Sequence, residues 1–274
     1  NTYSRNVILN SPVGNSIFYH GGKTQMLKID LNADLGELSI EHDAPLMPYI
    51  SSANIACGGH AGNPMHMTEM MQLCRQHNVA IGAHPSYWDC EHFGRRELNN
   101  SPEQIYQLMV YQLGAISAIA SSQKLALKHV KPHGALYNRS AVDPHAADAI
   151  AQAVFDCDPA LILVGLANSQ SLTSAKAKGL QVVAEGFADR RYTEEGLLVS
   201  RLQNDAMIEN SDEAIAQVLA MIQHGKILSV SGHQIVMSVQ TICLHGDGPH
   251  AMEFAQALHH SLQVNNIQIN SEYA

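Results

Sequence analysis

Charge is sparse in this sequence, and basic charge sparser still. Only 15% of the 274 residues are charged, and 16 Lys and Arg face 25 Asp and Glu for a formal net charge of −9. No block of basic residues is available to track a phosphate backbone, which argues against nucleic acid as a partner. The five cysteines (Cys57, Cys74, Cys90, Cys157 and Cys243) are odd in number, widely spaced and without a CxxC pair. Neither a disulfide framework nor a thiolate zinc site is expected, and a reducing cytoplasm is the fitting compartment. The longest purely apolar run lies near Leu161–Val164, far short of the ~20 residues of a membrane span. Phosphate-loop, dinucleotide and nucleophile-elbow motifs are missing, as is HExxH spacing, so no nucleotide or zinc site is read from a local motif.

Against these gaps stand 46% apolar residues, enough for a large core, and 16 His, as many as Lys and Arg together. Residues 1–25 have no sustained period and no apolar segment of the signal-peptide kind. They read as a leader or extension outside the fold, with 26–274 as one domain. From Met26 onward short β-rich runs alternate with helical ones. The expected strands are Leu27–Leu31, Ala53–Cys57, Val79–Ala83, Leu127–Lys131, Leu161–Val164, Gln181–Ala184 and Thr241–Leu244, with a further pair near Ile227–Val230 and Ile235–Val239. Ile105, Leu108, Met109, Ile116 and Ile119 form one helical stripe, and Ile215, Val218, Leu219 and Ile222 another. Ser101 and Ser211 are the expected caps. Parallel strands spaced by helices imply an α/β barrel, with a doubly wound open sheet as the alternative.

In such a barrel the chemistry sits beyond the carboxyl ends of the strands. Those positions hold Asn32-Ala-Asp-Leu-Gly-Glu37, Gly58-Gly-His60, His84-Pro-Ser-Tyr-Trp-Asp89, Lys131-Pro-His-Gly134, Phe187-Ala-Asp-Arg-Arg-Tyr192 and His245-Gly-Asp-Gly-Pro249. Carboxylates beside imidazoles suit general acid–base work, or a divalent metal assembled from separate strands. Lys131 and Arg190 are the cations placed to hold a carboxylate or phosphate. Cys57 reads as a small buried hydrophobe, and Met65, Met67, Met70 and Met71 as core filler.

Longer stretches carry a more specific signal. Asp30-Leu-Asn-Ala-Asp-Leu-Gly-Glu37, Ser52-Ala-Asn-Ile-Ala-Cys-Gly-Gly-His-Ala-Gly62, Ile81-Gly-Ala-His-Pro85, Phe93-Gly-Arg-Arg96, His129-Val-Lys-Pro-His-Gly-Ala-Leu-Tyr-Asn138, Phe187-Ala-Asp-Arg190 and Cys243-Leu-His-Gly-Asp-Gly248 follow one another in order. In these the chain resembles the LamB/YcsF family of ATP-hydrolysing 5-oxoprolinase A subunits, from about Met26 to the C-terminus. Departures are Gly59 where Phe is usual, Asn63 where an acid is usual, and Gly186 in place of Val.

The resemblance implies a distorted seven-stranded β/α (TIM-like) barrel, similar to glycoside hydrolase and deacetylase barrels. It also implies cleavage of 5-oxoproline to glutamate, with ATP as co-substrate and two further, allophanate-hydrolase-like subunits as partners. On this reading Asp34, helped by Glu37, positions or deprotonates water, and His60, His84, His133 or His245 donates protons or binds a metal. Lys131 and Arg190 bind substrate or phosphate, while Asp189 and Asp247 orient their neighbours. A divalent metal stays open, with Asp34, His60 and His84 as candidate ligands. Two other functions remain: a stand-alone metal-dependent deacetylase or amidohydrolase, and a non-catalytic substrate-binding subunit.

Overall fold

The computed structural model describes residues 26–244, 251–271 and 273. The extension 1–25, and with it that reading, lies outside the described residues, as do His245 and Asp247. Strands β1 (Leu27–Leu35), β2 (Ser52–Ala56), β3 (Ala80–His84), β4 (His129–Val130), β5 (Ile162–Leu166) and β6 (Val182–Phe187) follow the expected order. An antiparallel hairpin, β7 (Lys226–Leu228) with β8 (Gln234–Val236), precedes β9 (Thr241–Leu244), and β10 (Ile267–Ile269) comes last. Helices α1 (Ile40–Asp43), α2 (Pro64–His77), α3 (Pro102–Ser122), α4 (Gly134–Val142), α5 (Pro144–Cys157), α6 (Gln170–Ala177), α7 (Ser211–His224) and α8 (Ala251–Val264) lie between them.

Strands β1 to β6 pair in sequence, all parallel, and β9 pairs with both β6 and β1. Closure through β9 makes a seven-stranded parallel barrel, not an open doubly wound sheet. Strand β10 was not expected from the sequence. It pairs only with the first three residues of β1, beyond the stretch that β1 shares with β2 and β9.

Helix starts follow side-chain chemistry. Ser101 and Gln104 form a capping box on α3, with Pro102 next in line, and the helix buries Ile105, Met109, Leu113 and Ile116. Asn63 caps α2 by accepting from the Met65 and His66 amides. The cap of α7 is Asn210 rather than Ser211, since its side chain takes the Glu213 amide. Met67, Met70 and Met71 are core, whereas Met65 stands out in solvent.

Strand β1 runs on to Leu35, four residues past its expected end, so Asp34 is a strand residue and not a loop residue. Its alternation explains why. Ile29, Leu31, Ala33 and Leu35 face the helices as part of the main core, while Asp30, Asn32 and Asp34 face the barrel axis. The axis is therefore lined by hydrogen-bonding side chains, where barrels of this kind are usually filled with branched aliphatic ones. Gly82 belongs to this lining: a Cβ there would run into the His129 ring. At the amino end of the barrel Tyr273 stacks on His129, 4.2 Å between ring centroids, and packs with Val164 and Val183.

Candidate functional site

At the carboxyl end the loops bring three imidazoles around one carboxylate. Gly36, at φ +72°, turns the chain after β1, and its amide is held by Asp43 Oδ2 at 2.7 Å, which directs Glu37 back over the barrel. Glu37 Oε1 lies 2.7 Å from His60 Nε2, 3.2 Å from His133 Nδ1 and 3.8 Å from His84 Nε2. The His60 and His133 rings stack in parallel with centroids 3.6 Å apart, and Phe93 packs edge-on against both. Gly94, at φ +64°, is the hinge that permits this: a Cβ there would stand 2.9 Å from both His133 Cδ2 and His60 Cβ. Backbone bonds from His133 N to Pro85 O and from Ala135 N to Gly94 O sew the β3 and β4 loops together.

The second nitrogens fix two of the rings. His84 Nδ1 is 2.7 Å from the Lys131 carbonyl and His133 Nε2 is 2.9 Å from the Phe93 carbonyl. A carbonyl only accepts, so both of those nitrogens carry hydrogen. Burial, joined by the neighbouring imidazoles, pushes His60 down to about 3 and lowers His133, so both rings are neutral near pH 7. Burial would raise Glu37, but its close contacts with the His133 and His60 imidazoles outweigh it and hold the carboxyl well below its ordinary range.

Asp34 sits beside this cluster, its Oδ2 3.3 Å from His84 Nε2. Its Oδ1 accepts from Lys131 Nζ at 2.9 Å and from Asn54 Nδ2 at 2.8 Å. Asn54 also donates to Asn32 Oδ1, and its own oxygen faces His129 Nε2 at 2.8 Å. Lys131 is 2% exposed and reaches Glu185 Oε1 at 2.8 Å as well as Asp34. The attraction of those two acids more than offsets burial, and its pKa rises well above the ordinary lysine value.

The same network continues down the axis from Glu185 through Asn32 and Thr241 to Asp30, which also accepts from Ser51 and Ser52. Asp30 is pushed up to about 6 by burial, against the pull of those three hydroxyls. An acid whose pKa is raised on folding resists ionisation in the fold. Stability therefore falls as pH climbs from about 4 to about 6, by roughly 3 kcal/mol from this group, and is level on either side. Asp30→Asn should flatten that part of the melting-temperature profile. Parallel profiles for the two proteins would contradict this assignment.

The expected site residues thus divide. Asp34, Glu37, His60, His84, His133 and Lys131 come together. Arg190 is buried in the excursion after β6, where Nη2 donates to the Val199 carbonyl. Burial, followed by the charge of Arg201, lowers it to about 10. Asp189 is half-buried beside it, its carbonyl taking the Ile208 amide. Asn32, Asn54, His129, Glu185 and Thr241 were not anticipated. Cys57 is buried, with its thiol pushed up to about 12 by burial, as befits a structural residue.

The model of the LamB/YcsF family matches residues 29–273. The chain belongs to this family. Curated relatives include the A subunit of 5-oxoprolinase from Staphylococcus aureus strain JH9, 47% identical over 249 residues that cover 89% of this chain and all of the relative. Its namesake from Bacillus cereus strain 03BB102 is 46% identical, over 89% of this chain and 98% of the relative. Among solved structures, the lactam utilization protein of Thermus thermophilus superposes with a TM-score of 0.83 at 40% identity, over 89% of this chain and 99% of that one. A putative cellobiose-phosphate cleavage protein from Enterococcus faecalis V583 shares the fold, at TM-score 0.59 and 10% identity, over 90% of this chain and 98% of that one. Both curated relatives thus bear the name of one subunit of a 5-oxoprolinase.

Proposed function

We propose that the chain supplies the hydrolytic site of an ATP-dependent 5-oxoprolinase, opening the lactam of 5-oxoproline to L-glutamate. The observation that carries this is the Asp34 carboxylate group beside the Glu37–His60–His84–His133 cluster, at the carboxyl end of the barrel where such enzymes place their chemistry. Resonance makes the lactam a poor electrophile. Phosphoryl transfer from ATP to its carbonyl oxygen gives ADP and an activated carbon. Water adds to that carbon, giving its proton to Asp34, and the C–N bond breaks with a proton returned to nitrogen. A second water splits the resulting acyl phosphate into glutamate and phosphate.

In this scheme Asp34 is the general base. The neutral imidazole His60, bonded to Glu37, is the proton carrier. Lys131 holds Asp34 in place instead of gripping substrate, since its ammonium is already shared between Asp34 and Glu185. Arg190, with Asp189 beside it, is the cation for an anionic group entering from the β6 side, and its Nε has no hydrogen-bond partner among the described residues. His245 and Asp247, outside the described residues, keep their expected parts.

Two further subunits, allophanate-hydrolase-like, complete the enzyme in the cytoplasm, and the nucleotide is bound chiefly by them. No helix among the described residues is long and apolar enough to cross a membrane. Glutamate release from 5-oxoproline, coupled to ADP formation, should need this chain, ATP and both partners together. Release of acetate from acetylated sugars by the chain alone would instead favour the stand-alone amidohydrolase. No turnover in any combination would overturn the proposal.

A further inference from the structure

His84 and His133 face each other with the wrong atoms for a neutral pair. Their outer nitrogens are committed as donors to the Lys131 and Phe93 carbonyls. In neutral rings the inner nitrogens, His84 Nε2 and His133 Nδ1, then carry only lone pairs, yet they lie 2.9 Å apart. Glu37 Oε1 faces both nitrogens, 3.2 Å from His133 Nδ1 and 3.8 Å from His84 Nε2, and Asp34 Oδ2 lies 3.3 Å from His84 Nε2. Three potential ligand atoms thus converge on one small volume.

From this we infer that Glu37, His84 and His133 are the protein ligands of a divalent first-row transition ion, with His60 supporting the site rather than binding the ion. Ligand atoms roughly 2.1 Å from an ion are about 3.0 Å apart in an octahedron and about 3.4 Å in a tetrahedron. The three separations here, 2.9, 3.2 and 3.8 Å, bracket those values. Two imidazoles and one carboxylate suit zinc, cobalt, manganese or iron(II), and three protein ligands leave positions open for a reacting oxygen. The outer-nitrogen bonds to backbone carbonyls are the usual support of metal-binding histidines.

His60 differs from the other two. Its Nε2 is 2.7 Å from Glu37 Oε1, and its Nδ1 is buried without a partner. If Nε2 bound the ion, the proton would move to Nδ1, where it has no acceptor. His60 is therefore the donor that orients Glu37.

This deepens the proposed function but is tested apart from it. The purified chain, stripped with chelator, is loaded separately with Zn²⁺, Co²⁺ and Mn²⁺, freed of excess ion, and assayed by elemental analysis without ATP, lactam or partners. One ion per chain is expected for at least one metal. Under a tenth of that should remain in the His84→Asn, His133→Asn double variant, while His60→Gln keeps the full amount. Failure of the unaltered chain to hold a stoichiometric ion overturns the inference, as does full retention by the double variant. Equal loss in His60→Gln overturns the ligand set. If the double variant does not fold, the visible spectrum of the Co²⁺-loaded native chain decides, since nitrogen ligation gives bands that hydrated Co²⁺ lacks. A negative result here leaves glutamate release by the assembled enzyme unaffected, so the two failures are distinguishable.

Discussion

Asp34→Asn, assayed in the assembled enzyme, is expected to lower the turnover number by about 10²–10⁴, the range associated with losing a positioned general base. The network makes this a clean substitution. Lys131 Nζ and Asn54 Nδ2 both donate to Asp34 Oδ1, so an asparagine would place its carbonyl oxygen there. The amide nitrogen then falls where Oδ2 was, 3.3 Å from the acceptor nitrogen of His84, and a donor occupies the position from which a proton should be taken. Shape and most hydrogen bonds survive, so KM should change little while turnover collapses. A melting curve close to that of the unaltered chain would show that the loss is chemical. Retained full turnover would remove Asp34 from the mechanism.

The part of this site that was legible in the sequence is the part governed by position. His60, His84 and His133 each follow a strand, and a parallel barrel sends the ends of its strands to one mouth, so their meeting follows from topology. Glu37 follows from the glycine turn before it. Asp34 was read as a loop residue because Asp30, Asn32 and Asp34 interrupt an apolar run, and polar residues normally end a strand. Here they mark its inner face. The same alternation in Ser52 and Asn54, Gly82 and His84, His129 and Lys131, and Thr241 and Cys243 was the available signal for a polar axis.

Each of those strands is only two to five residues long, too short for one period-two pattern to stand out alone. The pattern emerges only when the strands are aligned side by side. The partners of Lys131 could not be read at all. Glu185 is a lone acid in an apolar strand, 54 positions further along, and only barrel closure brings the two within 2.8 Å. Arg190 shows the reverse case. Its place after β6 suggests the mouth, and the excursion beyond it adds what the sequence could not show, a backbone carbonyl for Nη2 that leaves Nε without a hydrogen-bond partner among the described residues.

Lys131→Met should be the most damaging single change to stability, costing about 3–5 kcal/mol. The apolar stem is matched in length, so packing is largely kept, and what is removed is the ammonium between Asp34 and Glu185. Those carboxylates are 11% and 0% exposed and would be left facing each other across the axis without a compensating charge. A native chain of this kind is stable by only about 5–15 kcal/mol, so the variant should melt roughly 10 °C lower at neutral pH. The sign of its pH dependence separates this cause from a packing defect. The native ammonium, with its raised pKa, stabilises the fold at all pH values below the ordinary lysine range and is lost only above it, so it adds no slope between pH 5 and 8. In the variant the stranded carboxylates can be relieved only by protonation, so its deficit should shrink as pH falls toward 5. A deficit that stays constant from pH 5 to 8 would show that Lys131 acts through packing and not through its charge.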